Sequence, residues 1–64
     1  MNAFWEVGKR YKFKVIDELK VLSLYTGTVI LQDDERLKIT DLYGKEVTII
    51  KKDIKKTTEI DHEN

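Results

Sequence analysis

The sequence has no cysteine and no proline, and only one histidine, one tryptophan and three glycines in 64 residues. Without cysteine neither a disulfide nor a thiolate zinc site can form, and His62 alone cannot supply the usual histidine pair. The glycines, Gly8, Gly27 and Gly44, are isolated from one another, so no glycine-rich phosphate loop is present. No cysteine nucleophile exists and no Ser-His-Asp order occurs, so the residues point away from an enzyme and call for no cofactor. No apolar run exceeds three residues, as in Val29-Ile30-Leu31, against the roughly 20 that span a bilayer. Met1-Asn2-Ala3-Phe4-Trp5-Glu6 has no basic stretch followed by an apolar region. No secretory signal and no membrane partner are therefore expected, and the expected location is the cytoplasm. Neither sign of charge dominates, because 12 basic residues balance 12 acidic ones.

What the chain does have is charge in quantity and enough apolar residues for a small core. Charged residues make up 38% of it, above the usual 25% or so, and hydrophobic residues 41%. Its length implies one domain over residues 1–64, short of the roughly 70–80 residues at which a single core stabilises comfortably. With disulfides and metals excluded, the remaining sources of stability are dense packing, a bound partner or oligomerisation.

Alternation of apolar and polar residues runs from Arg10 onward. In Tyr11-Lys12-Phe13-Lys14-Val15 the apolar residues take every second place, the period of a strand with one buried face. Val7-Gly8 reads as a turn into that strand, and Asp17-Glu18 breaks the pattern as a turn or a bulge. Residues 19–32 form a second, long run rich in β-branched and aromatic residues, with Gly27 marking a bend or a close backbone approach. Asp33-Asp34-Glu35 is a charged turn, and Arg36-Leu37-Lys38-Ile39-Thr40 alternates again. Asp41-Leu42-Tyr43-Gly44-Lys45 reads as a hairpin loop with Gly44 available for positive φ. Residues 46–51 give a fourth strand, Lys52-Asp53 a tight or 3₁₀ turn, and residues 54–60 a fifth strand. Residues 61–64 read as a frayed tail, and residues 2–6 allow a single helical turn. The fold class expected is all-β, a small five-stranded, partly open barrel, because closure hides strand edges.

Four segments read together as one phrase: Tyr25-Thr26-Gly27-Thr28-Val29-Ile30-Leu31-Gln32-Asp33-Asp34, Leu37-Lys38-Ile39-Thr40-Asp41, Gly44-Lys45-Glu46-Val47-Thr48-Ile49 and Asp53-Ile54. Over residues 11–60 this resembles the SH3-like barrels of the Sm, LSm and Hfq type. Those families have a bent glycine-containing strand, an acidic turn, a strand, a short hairpin and a strand ending in a tight turn. The resemblance implies an SH3-like (Sm-like) barrel, RNA binding and homo-oligomers. The residues by which such proteins hold a base are not matched. The turn Asp33-Asp34-Glu35-Arg36 has neither an aromatic nor an Asn, and Lys51-Lys52-Asp53 stands where an Arg-Gly pair is usual.

The charges are segregated. Residues 9–14 hold Lys9, Arg10, Lys12 and Lys14 without an acid, and residues 45–56 hold five lysines against Glu46 and Asp53. Two basic strands side by side make a stripe that can follow a phosphate backbone. On this reading Lys9, Arg10, Lys12, Lys51, Lys52, Lys55 and Lys56 bind RNA or single-stranded DNA, and Trp5 and Tyr43 stack on bases. The bland reading is that the lysines form solvated strand faces that discourage aggregation, and that Trp5 caps an open barrel end. Asp33, Asp34 and Glu35 lack the glycine and later glutamate of a calcium loop, so no metal is expected. The competing functional class is a protein-interaction module or assembly subunit with a protein partner.

Overall fold

The computed structural model describes residues 4–60. Its elements are β1 (Arg10–Ile16), β2 (Leu22–Gln32), β3 (Arg36–Asp41), β4 (Glu46–Ile50), a 3₁₀ turn (Lys51–Asp53) and β5 (Ile54–Glu59). The five strands form one antiparallel sheet in the order β4-β3-β2-β1-β5. The all-β class and the strand count agree with the sequence reading. Boundaries move by one to three residues, with Lys51 joining the 3₁₀ turn and residues 19–21 belonging to the β1–β2 turn. The helical turn over residues 2–6 is corrected for residues 4–6, which carry no helix, while residues 2 and 3 and the tail 61–64 lie outside the described residues.

The alternation in the sequence is what allows a single sheet to make a core. Tyr11, Phe13 and Val15 of β1 face inward with Val29 of β2, Leu37 and Ile39 of β3 and Ile49 of β4, and all are buried. Phe13, Val29, Leu37 and Ile39 are the largest side chains removed from water altogether. Burying each contributes about 1.5–3 kcal/mol. No second layer covers them, so the sheet must curl round its own inner face. The curl does not close: among the described residues no ladder joins β4 to β5, and the barrel is partly open.

The curl is concentrated in β2. Its residues 22–28 pair with β1, and its residues from Gly27 onward pair with β3. Gly27 belongs to both ladders, opposite Tyr11 and Asp41. A β-carbon there would lie 2.5 Å from the Thr40 carbonyl oxygen and 3.0 Å from Ile39 Cδ1, so the crossing demands glycine for space and not for φ. Two bulges add twist, one where Ile30 has no partner on β3 and one where Lys55 has none on β1.

The open end is plugged by the N-terminal segment. Trp5 stands edge-on to Phe13, with ring centroids 5.8 Å apart. The Gln32 side-chain amide clasps the Trp5 backbone, its oxygen accepting from Trp5 N at 3.2 Å while its Nε2 donates to Trp5 O. Glu6 N donates to the Tyr11 hydroxyl at 3.0 Å.

Candidate nucleic-acid interface

Strand alternation puts Arg10, Lys12 and Lys14 on the face of β1 opposite the core, at intervals of about 6.7 Å along the strand. The register then supplies their neighbours. Lys12 lies between Thr26 of β2 and Thr58 of β5, and Lys14 between Leu24 of β2 and Lys56 of β5. Lys14 and Lys56 are thus direct cross-strand partners of the same sign, an arrangement that costs stability. Lys12, Lys14, Lys55 and Lys56 are exposed. Three threonines flank the row: Thr26, Thr28 and Thr58. Ammonium and hydroxyl donors on one surface suit an acceptor-rich polyanion.

The other basic candidates are engaged elsewhere. Lys9 is ion-paired with Glu59 at 3.0 Å, and that charge-assisted bond holds the Lys9 ammonium pKa above the ordinary lysine value. Lys52 pairs with Glu18 at 2.8 Å across the foot of the β1–β2 turn, which raises the Lys52 pKa and lowers that of Glu18. Lys51 Nζ sits 3.8 Å from the Phe4 ring centroid and 5.5 Å from that of Trp5, a cation–π seat. Arg10 is half-buried, with its Nε enclosed and without a hydrogen-bond partner among the described residues.

Neither stacking candidate lies on the lysine row of β1 and β5, although Trp5 lies beside Lys51. Trp5 is half-buried against Phe13 at the plugged end. Tyr43 is 90% exposed, but it tips the β3–β4 hairpin, whose strands lie on the far side of β2 from β1 and β5. Tyr11 and Phe13, the aromatics of β1, belong to the core. The lysine row therefore offers charge and hydrogen bonding without an aromatic platform.

The acids have structural work of their own. Asp33 Oδ1 accepts from the amides of Glu35 at 2.9 Å and Arg36 at 2.8 Å. Asp17 Oδ1 does the same for Leu19 and Val21, and Asp41 Oδ1 for Tyr43 and Lys45. Each hairpin turn is thus closed by an aspartate at its first residue. Among the described residues no group of three His, Cys, Asp or Glu side chains is arranged to hold a metal ion, and no helix is long and apolar enough to cross a membrane.

Lys14 is the residue that the candidate set omits. It stands in the basic stretch 9–14, but only the β1–β5 register brings it beside Lys56. No protein-family model, curated protein or solved structure matches the chain.

Proposed function

We propose that the chain is a small binding module of Sm-like character that holds the backbone of single-stranded RNA or DNA across the outer face of β1 and β5. Lys12, Lys14 and Lys56 contact phosphates, Arg10 and Lys55 extend the row, and Thr26, Thr28 and Thr58 add hydroxyl donors. The observation that carries this reading is the facing pair Lys14 and Lys56 in a chain with as many acids as bases. Like charges set directly opposite one another cost stability in the free protein, and a bound phosphate between them reverses the sign of that term. The 6.7 Å or so between successive lysines of β1 is comparable to the phosphate step of an extended strand. With no aromatic on the face, base selectivity is slight. On this reading the function is binding and not catalysis.

The test is fluorescence anisotropy with a mixed-sequence oligonucleotide over a range of salt. Each lysine–phosphate contact on a single strand contributes about −0.7 to the log–log salt slope, so three contacts give about −2. The double variant Lys14→Gln, Lys56→Gln is expected to reduce the slope to about −0.7 and to lose most low-salt affinity. No binding at low salt by the wild type, or undiminished binding by the variant, rejects the reading and favours a protein-interaction module.

A further inference from the structure

Residues 21–32 carry no charge at all, in a chain of which 38% is charged. The uncharged run contains the whole of β2, and β2 is only half covered. Residues 22–26 pair with β1 on one side, while pairing with β3 starts at Gly27. Among the described residues no strand pairs with the other side of residues 22–26, so their backbone is an open edge. On the outer face of that edge Leu22 is 54% and Leu24 is 68% exposed. None of the usual protections is present within it: no lysine, no proline and no bulge, the β2 bulge falling later at Ile30.

The other two edges differ. β5 carries Lys55 and Lys56 and is bulged at Lys55, two of the features that protect an edge from pairing. β4 begins with Glu46, and its exposed outer face offers only Ile50, 39% exposed, as an apolar contact. The edge of β2 is the uncharged one of the three, and it carries the most exposed apolar side chains. A free edge of five residues has its centre at Leu24. Antiparallel pairing in full register sets Leu24 against Leu24, Leu22 against Thr26 and Ser23 against Tyr25, every pair uncharged.

We propose that two copies of this chain join through residues 22–26 of β2, paired antiparallel about a two-fold axis at Leu24. The union is isologous and closes at two chains. It continues the sheet as β5-β1-β2-β2-β1-β5 with both outer faces on the same side. A leucine strip then runs along the seam, with the Lys12, Lys14 and Lys56 row of each copy on either side of it. The occupant follows from self-complementarity alone and does not depend on nucleic-acid binding.

The experiment uses the protein without nucleic acid. Sedimentation equilibrium of the wild type from low to high micromolar concentration is expected to show a monomer–dimer equilibrium. Leu24→Lys places two ammonium groups opposite one another and is expected to weaken the dimer at least about tenfold. Circular dichroism of that variant is expected to keep the wild-type shape, because Leu24 lies outside the core, while its urea midpoint falls slightly because Lys14 is the cross-strand neighbour of position 24. A second readout exploits the lack of native cysteine. Leu24→Cys is expected to form a disulfide-linked dimer on mild oxidation, since directly opposite β-carbons lie about 4.5–5.5 Å apart. Leu42→Cys, on the β3–β4 turn, is the control that is not expected to do so. A wild type that stays monomeric throughout overturns the proposal. So does a dimer that survives Leu24→Lys but is dissolved by Thr48→Lys on β4, or a Leu24→Cys protein that oxidises no faster than the control.

Discussion

A methyl group on Gly27 would meet the Thr40 carbonyl oxygen at 2.5 Å, and a carbonyl in a paired strand cannot turn aside as a flexible side chain can. Gly27→Ala is accordingly expected to cost about 1–3 kcal/mol, the range for forcing extra volume into a packed site. Urea denaturation checks this, and a midpoint unchanged from wild type would refute the steric account. The position was legible in the sequence as an isolated glycine in a β-branched run. The close backbone approach was one of the two readings offered there; the partner was not legible, because the Thr40 carbonyl is thirteen positions away and enters only through the β2–β3 register. Gly44 is the simpler case: it ends a hairpin loop at φ +83°, as its place after Asp41-Leu42-Tyr43 suggested. Lys20 takes φ +66° in the β1–β2 turn, where no glycine marked the need. Two Asp17 carboxylate bonds and the Lys20 N to Asp17 O bond hold that turn regardless.

At the scale of elements, the turns show how one residue type reads differently in sequence and in space. The sequence marks Asp17, Asp33 and Asp41 as turn residues, but their ring of backbone donors depends on how tightly each hairpin closes. For Asp33 the bonds from the Arg36 amide and then the Glu35 amide hold the carboxyl below the usual aspartate range. A pKa depressed by folding stabilises the folded state above the ordinary aspartate value of about 3.9, and the contribution is lost as pH falls through the lower folded value. Glu18, lowered by its bond to Lys52, acts in the same direction. Asp33→Asn keeps a side-chain oxygen but removes the titration and the charge. It is expected to lower stability at neutral pH and to flatten the loss of stability on acidification below about pH 4. Urea midpoints measured at pH 7 and at pH 3 decide it. An acid slope identical to wild type would mean that the Asp33 carboxylate does not couple to folding. Strands β1 and β3 were legible to within a residue, since their alternation is the direct imprint of a one-sided core, whereas β2, with no such alternation at its start, was read three residues too long. The two bulges were not, because an unpaired residue leaves no mark in a single strand's own pattern.

For the molecule as a whole, the charge balance of zero conceals a division of labour. Lys9, Lys38 and Lys52 are ion-paired with Glu59, Glu46 and Glu18, while Lys12, Lys14 and Lys56 share a face across β1 and β5. Counting charges along the chain located the basic segments but did not show which lysines have acid partners. Lys9 and Lys52 are adjacent in sequence to other bases and adjacent in space to acids, whereas Lys14 reaches Lys56 only by folding. The pairing also separates a structural from a functional explanation of the lysines. If the facing pair merely discourages aggregation, exchanging one member for an acid affects stability alone. Lys56→Glu turns like charges into an opposite-charge cross-strand pair, expected to raise stability by roughly 0.2–1 kcal/mol. The same exchange places a carboxylate in the path of the phosphates. It is therefore expected to reduce oligonucleotide affinity more than Lys56→Gln, and to flatten the salt slope by at least the 0.7 or so of one lost contact. Urea melts and anisotropy titrations on wild type, Lys56→Gln and Lys56→Glu read both quantities in one buffer. Stability rising from wild type through Lys56→Gln to Lys56→Glu while affinity falls in that order is what a face held in unfavourable charge for the sake of a polyanion requires. Stability falling along that series would mean that Lys14 and Lys56 do not oppose each other in the folded chain, and affinity that ignores it would place the bound strand elsewhere.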